Sequence, residues 1–294
     1  MQVTPKKILV IGNCQARPVA KLMQGTGSFD CLPPILLQLS RPEHAGQHQT
    51  LIDAADIIFA QLTVDTFEPA HLRSSQIKSQ YPDKTIIWPN VFYSGQQPYL
   101  RYMTHLTEGR ILGPLEALHD IRIFRKWLIQ SGRLRQADWV EAPGFMESAG
   151  AASLQELKSR EQKCDVAVSD LIQDTPEGER LFFTFNHPSN WLLARVSERM
   201  LNQRGASYVI EEKNDPEYLS RYIAPSVWTG NTAYPEPFRG VNVVLKDDKT
   251  VEVEGLREYT LHELEDAFMA CYEHLENMMV KDKLRFTPNF GEVF

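Results

Sequence analysis

The segment Gly12-Asn13-Cys14-Gln15 carries the first side chains of the chain that could do chemistry. It follows a short apolar run and precedes a stretch with helical spacing, which places Cys14 near a helix N-terminus. The unpaired N–H groups there carry partial positive charge, so we expect a lowered thiol pKa and a reactive thiolate. The same donors could hold an oxyanion on an attacked carbonyl group. Cys14 is therefore a candidate nucleophile; the alternative is a small residue that suits a turn.

A histidine occupies a similar strand-to-helix corner later in the chain, in Asn186-His187-Pro188-Ser189-Asn190. Pro188 fixes the backbone beside His187, and Ser189 or Asn190 can cap the helix that follows. An unperturbed pKa of about 6.5 suits His187 to work as a general base. The alternative is a helix cap that contains an incidental histidine. Because the remaining histidines form no metal-ligand spacing with a nearby carboxylate, we expect no metal.

Alternating strands and helices position both corners. Apolar, β-branched runs predict four strands, at 7–11, 35–39, 56–61 and 84–88, while helical spacing covers 16–23 and 69–80. This alternation indicates an α/β fold with a parallel central sheet flanked by helices. Since ligand sites in such folds lie at the carboxyl ends of the strands, Gly12, Cys14 and Gln61 are expected at one sheet edge.

The rest of the chain is more helical and then mixed. We predict helices at 99–106, 115–131, 153–174, 189–203 and 260–279, a Gly/Ala-rich loop at 137–152, a strand at 181–185 and a hairpin of 241–245 with 250–254. These elements predict a catalytic core over residues 1–205 with a helical insertion at 98–175. Residues 206–294 are then a mixed C-terminal extension packed on the core.

The composition limits the classes of partner that the protein is expected to bind. The 294 residues hold 31 Lys+Arg against 38 Asp+Glu, a net charge of −7, which argues against a nucleic-acid binder but leaves room for a local basic pocket. The first apolar run stops at Gly12, too short for a secretory signal, and no window approaches the roughly twenty apolar residues of a membrane span. The four cysteines are scattered and form no C-x-x-C pair. We therefore expect a cytoplasmic protein with reduced thiols; the oligomeric state stays open.

The strand followed by Gly-Asn-Cys-Gln and the later strand followed by Asn-His-Pro-Ser resemble the WcbI-type polysaccharide-biosynthesis family. The Pro-Asn and aromatic-Gly segment Trp88-Pro89-Asn90-Val91-Phe92-Tyr93-Ser94-Gly95 matches in kind. This resemblance covers most of residues 7–204. It implies binding of coenzyme A (CoA) and transfer of an acetyl group from acetyl-CoA to a capsular sugar or polysaccharide acceptor.

A looser similarity to SGNH/GDSL hydrolases implies an SGNH-like three-layer core and further roles. Cys14 stands where the family has its Ser, Asn13 where it has its Asp, and Asn90 where it has an oxyanion Asn. His187 matches the family's His-Pro, but Thr184 replaces the Asp that orients the base.

The two resemblances together imply an active site. The amides around Gln15, with Asn90 or Gln61, would stabilise the tetrahedral intermediate, while Gly12 permits the tight turn. Arg17 and Lys21 on the first helix are candidate donors to the CoA phosphates, although ordinary solvated helix charges explain them equally.

Two mechanisms and two other functions stay open. Cys14 could take the acetyl group and pass it on, or His187 could activate the acceptor hydroxyl for direct attack on acetyl-CoA. A thiol-dependent esterase or deacetylase would use the same pair with water as acceptor. A non-catalytic carbohydrate- or nucleotide-binding protein would instead use an aromatic surface for stacking. The candidates for that surface are Trp88, Tyr93, Tyr99 and Trp191.

Overall fold

The computed structural model describes residues 5–138, 143–175, 180–205, 207–211, 217–225 and 237–288. The strands there are β1 Lys6–Gly12, β2 Phe29–Cys31, β3 Ile35–Leu36, β4 Ile57–Gln61, β5 Thr85–Trp88, β6 Leu100–His105, β7 Gly109–Arg110, β8 Leu118–Asp120, β9 Phe182–Thr184, β10 His187–Pro188, β11 Phe238–Leu245, β12 Val251–Tyr259 and β13 Leu284–Thr287. The helices are α1 Ala16–Gly25, α2 Ala45–Ala54, α3 Ser74–Gln80, α4 Ile121–Gln130, α5 Phe145–Glu161, α6 Ser169–Gln173, α7 Asn190–Asn202 and α8 Leu261–His274.

The chain forms two compact units. The first comprises Met1–Phe92, Leu154–Leu181 and His187–Leu219, and the second comprises Tyr93–Ser153, Phe182–Asn186 and Ser220–Phe294. Cys14 and His187 both belong to the first unit, together with every other side chain predicted for the site.

The first unit is built on a parallel sheet in the order β2-β1-β4-β5, with β3 also pairing with β1. Its fold class is α/β, as predicted, because apolar runs that are buried on both faces form its central strands. The predicted strands 7–11, 56–61 and 84–88 are confirmed within a residue at each end. The predicted strand 35–39 is shorter, since a 3-10 turn occupies Leu37–Leu39.

Helices cover both faces of this sheet. On one face Leu9 and Ile11 of β1 pack with residues of α2 and α3, among them Ile52 and Ile77. Ile8 and Val10 alternate to the other face and are also fully buried, while α1 packs along β1 and against α7. Ser189 caps α7 by accepting a hydrogen bond from Leu192 N at 3.3 Å, as its position predicts.

The second unit contains antiparallel sheets, which corrects the helix predicted at 99–106. Residues Leu100–His105 form β6, which pairs with β13 on one side and with β7 and β8 on the other. Segment 98–175 therefore holds three strands as well as helices and is not a purely helical insertion. A second sheet is the predicted hairpin, formed by β11 and β12.

Three further helix predictions need new boundaries. The helix expected at 115–131 begins only at Ile121, because Asp120 caps it by accepting from Arg122 N at 2.9 Å. The helix expected at 153–174 is two helices, α5 and α6. The loop expected at 137–152 contains the start of α5 at Phe145, and its residues 139–142 lie outside the described part of the chain. The helix predicted at 260–279 ends at His274, and its Thr260–Glu263 capping box is present.

No helix among the described residues is both long enough and apolar enough to cross a bilayer.

A pair of histidines on the α2 side of the first unit predicts a pH-dependent stability. His48 Nδ1 lies 2.8 Å from His71 Nε2, and the ring of His44 lies 5.7 Å from that of His48. Burial lowers the pKa of both His48 and His71, and the charge of His44 lowers both further, while Glu68 opposes this at His71.

These folded-state pKa values lie below the unfolded value of about 6.5, so the unfolded chain binds more protons than the folded chain as the pH falls. The two neutral histidines therefore contribute fully to the free energy of unfolding above about pH 6.5. That contribution is lost as the pH falls towards their folded pKa values. We expect His71→Gln to make the free energy of unfolding less dependent on pH between 7 and 5, measured by urea denaturation. The exposed His262→Gln is the control, and equal slopes for both variants would contradict the prediction.

Candidate functional site

The end of β1 is packed so tightly that only glycine fits at residue 12. A Cβ atom on Gly12 would lie 2.9 Å from Trp88 Cζ2 and 3.3 Å from the side chain of Gln61. Trp88 ends β5 and Gln61 ends β4, so the carboxyl ends of three adjacent strands meet here. The turn that carries Cys14 therefore starts from a fixed point.

Asn13 connects this turn to the two neighbouring strands. Its backbone N–H donates to Gln61 Oε1 at 2.9 Å, and its side-chain Nδ2 donates to Asn90 Oδ1 at 3.0 Å. Its own Oδ1 accepts from Gln15 N at 3.0 Å, which closes an Asx turn around Cys14. Asn13, Gln61 and Asn90, all predicted as oxyanion or positioning residues, are thus brought together.

Gln15 holds the loop that follows β5. Its side chain is fully buried, with Nε2 donating to Val91 O at 2.7 Å and Oε1 accepting from Val91 N at 3.2 Å. Gln61 Nε2 donates to the same Oε1 at 3.2 Å. Because both amide side chains are buried and engaged in this network, their role here is to hold the strand ends in place. The Nδ2 group of Asn90, which is partly exposed, donates no hydrogen bond within the described residues.

The lowered pKa expected for Cys14 is wrong. Burial raises its thiol pKa to about 11, and the backbone N–H groups of Cys14 and Gln15 offset only part of that increase. Desolvation of the sulfur raises the thiol pKa by more than the N-terminal end of α1, a helix that begins at Ala16, lowers it. Cys14 is therefore a protonated thiol at neutral pH, with Sγ 4.0 Å from Asn13 Oδ1.

His187 lies in β10, three residues before the first residue of α7. Burial lowers its pKa to about 4, so the imidazole is neutral at pH 7 and can accept a proton. The Cys14 thiol and the His187 imidazole are therefore both uncharged at neutral pH.

Arg17 and Lys21, the predicted phosphate donors, are both exposed on α1. Lys21 Nζ lies 4.7 Å from the centre of the Tyr218 ring, so a cation–π contact already engages it. The predicted sugar-stacking surface is wrong for two of its four aromatic residues. Trp88 is fully buried and packs against Gly12, and Tyr99 is only 5% exposed. Neither can offer a ring face to a ligand.

Sequence reasoning missed Arg160. Its Nη1 donates to Asn90 O at 2.8 Å, and its guanidinium lies 5.9 Å from the centre of the Phe92 ring. It therefore supports the loop that carries Asn90. In the sequence, Glu156 lies four residues before Arg160, and this spacing indicates an ordinary ion pair on a helix surface. That ion pair is present, at 2.8 Å, so nothing in the sequence indicated the further contact with Asn90.

Comparison with known proteins identifies the chain's relatives. The family model described as "Polysaccharide biosynthesis enzyme WcbI" matches residues 7–208. The chain belongs to the WcbI family. No curated protein matches the chain. The matched range contains both the Cys14 turn and the His187 corner, which are the two segments on which the resemblance was first drawn.

A solved structure supports the fold over almost the whole chain. It is described as "Structural insights into WcbI, a novel polysaccharide biosynthesis enzyme", a native protein without a disulfide bond between CoA and a cysteine of that protein. The TM-score is 0.66 at 16% identity, and the match covers 93% of this chain and 91% of that one. The likeness to SGNH/GDSL hydrolases stays a prediction. Within the described residues, no group of three or more His, Cys, Asp or Glu side chains is arranged to hold a metal ion.

Proposed function

We propose that this WcbI family member is an O-acetyltransferase that moves an acetyl group from acetyl-CoA to a hydroxyl of a capsular or surface polysaccharide sugar or its precursor. The observation that carries the proposal is the partly exposed Cys14 held at the carboxyl edge of three parallel strands by Asn13, Gln61 and Gln15. CoA is proposed as the donor because the description of the solved WcbI structure names CoA, in stating that the native protein has no disulfide bond between CoA and a cysteine.

The protonation states favour direct transfer over a covalent acetyl-cysteine. A thiol with a pKa of about 11 is largely protonated at pH 7, whereas a neutral His187 can take a proton in the transition state. In the step we propose, the acceptor hydroxyl oxygen bonds to the acetyl carbonyl carbon while its proton passes to His187. The carbon–sulfur bond then breaks, and the leaving sulfur takes the proton back from His187.

We propose the remaining roles as well. Cys14 borders the thioester, and Asn90 Nδ2, held in orientation by its Oδ1 contact with Asn13, is the proposed donor to the oxyanion. Backbone N–H groups at the start of α1 are further candidates. His187 is the residue that touches the reacting proton.

Mass spectrometry under turnover tests the mechanism. We expect no acetyl group on Cys14 when the protein is quenched during turnover with acetyl-CoA and acceptor, and we expect Cys14→Ser to keep kcat within about tenfold of the wild type. Cys164→Ser, a partly buried cysteine in the same unit, is the matched control. An acetyl adduct at Cys14 that forms and decays at the turnover rate would contradict direct transfer. Hydrolysis of acetyl-CoA without any acetyl transfer to a sugar would favour the esterase.

A further inference from the structure

A groove in the first unit carries cationic and hydroxyl groups that the proposed mechanism does not use. Its volume is about 620 Å³, within the usual range for small-ligand sites. Lys78, Arg160 and Lys163 provide positive charge, while Thr63, Ser75 and Ser159 provide hydroxyl groups. The two acidic residues in its wall are already engaged: Glu156 pairs with Arg160, and Asp65 accepts from Ser75 Oγ at 2.7 Å.

One of the three cations has a side-chain donor that remains available. The Lys163 side chain is exposed and makes no hydrogen bond or ion pair within the described residues, while its backbone N–H donates to Arg160 O at 3.0 Å. The Nε group of Arg160 is buried and donates no hydrogen bond to any described group, so Arg160 adds positive charge to the wall without offering this N–H to a ligand. A phosphate group in the groove would gain from that charge. Lys78 is already shared between Thr85 O and Asp165.

The groove is joined to the Cys14 turn by consecutive hydrogen bonds. Arg160 donates to Asn90 O, and the Asn90 side chain accepts from Asn13, the residue before Cys14. The wall of the groove also includes Thr63, which follows Gln61 by two residues at the end of β4. A ligand that reaches from Cys14 along this edge of the sheet would therefore meet Arg160 and Lys163.

We infer that this groove binds the phosphate groups of a phosphorylated ligand whose reacting end lies at Cys14. The inference rests on the proposed function for the position of the reacting end. Two ligands share this chemistry: CoA, through its 3′-phosphate and diphosphate, and an acceptor sugar carried on a nucleoside diphosphate. The groove replaces Arg17 and Lys21 as the phosphate site.

Calorimetric titration of the full chain tests the assignment. The probes are CoA, adenosine 3′,5′-bisphosphate, pantetheine and UDP-glucose, and the variants are Lys163→Glu, the control Lys158→Glu on α5, and Arg17→Glu. We expect Lys163→Glu to weaken CoA and adenosine bisphosphate binding by about tenfold or more and to leave pantetheine unchanged. Weakening of UDP-glucose alone would support the groove and assign it to the acceptor.

Three outcomes would overturn the inference. The first is a Kd for every phosphorylated probe that is the same, within twofold, in Lys163→Glu and Lys158→Glu. The second is weaker binding in Arg17→Glu but not in Lys163→Glu, and the third is a wild-type protein that binds none of the phosphorylated probes. The proposed function fails differently, because a wild-type protein that binds CoA in this groove but transfers no acetyl group contradicts the acetyltransferase alone.

Discussion

Replacing His187 with alanine is expected to lower kcat/KM for acetyl transfer by about a hundredfold to ten-thousandfold, the usual contribution of a positioned general base. The variant loses the only proton acceptor that the proposed mechanism assigns. The measurement is the rate of CoA release from acetyl-CoA in the presence of a sugar acceptor. His262→Ala is the matched control, since His262 is an exposed histidine on α8 whose Nε2 lies 3.3 Å from Asp266 Oδ2.

The pH profile separates catalysis by His187 from a loss of structure. Because burial lowers the pKa of His187 to about 4, its neutral form persists well below the ordinary histidine range. We expect kcat/KM of the wild type to stay level from pH 8 to pH 5 and to fall only as the pH approaches 4. A decline centred near 6.5, or activity of His187→Ala within tenfold of the wild type, would contradict the role given to this residue.

Gln15→Leu is expected to lower the free energy of unfolding by about 3 kcal/mol. Leucine fills a similar volume but leaves both the N–H and the C=O group of Val91 buried without their partner, and each such group costs about 1–3 kcal/mol. Urea denaturation measures the change. Gln49→Leu is the control: its side chain also donates hydrogen bonds, to Asp53 and Tyr81, but from an exposed position.

The same Gln15 variant is expected to lose acetyl transfer, because Gln15 and Gln61 together hold the turn that carries Cys14. The Gln49 variant is expected to stay within about 0.5 kcal/mol of the wild type in stability. A change of less than 1 kcal/mol for Gln15→Leu would show that the amide network contributes little.

The parallel sheet could be predicted because its signal is local. Residues 8–11, 57–60 and 86–88 are apolar throughout, which is typical of strands buried on both faces. Strand β6 was mistaken for a helix, in part because one of its partners is distant in sequence: β13 at Leu284–Thr287 lies nearly two hundred positions away, and no local pattern reports that pairing. The start of α5 was missed for a related reason, since its Gly/Ala-rich sequence resembles a loop.

The sheet edge that carries Cys14 and Gln61 could be predicted, but its electrostatics could not. Strand-end reasoning placed Cys14 and Gln61 at the same edge, and a hydrogen-bond network joins their neighbours there. Sequence cannot report desolvation, so the raised pKa of Cys14 was opposite to the expectation from its helix N-terminus. Arg160 and its groove depend on the contact of α5 with the loop after β5, which is a tertiary feature.

The connections between the ends of β1, β4 and β5 are made by uncharged carboxamide side chains and peptide groups. Such groups neither gain nor lose protons between pH 4 and 9, and added salt screens them little. The hydrogen bonds that fix the turn carrying Cys14 are therefore insensitive to pH and salt over that range. Kinetic responses to acidity or ionic strength then report on the reacting groups, on ligand charge or on other parts of the fold rather than on rearrangement of this network.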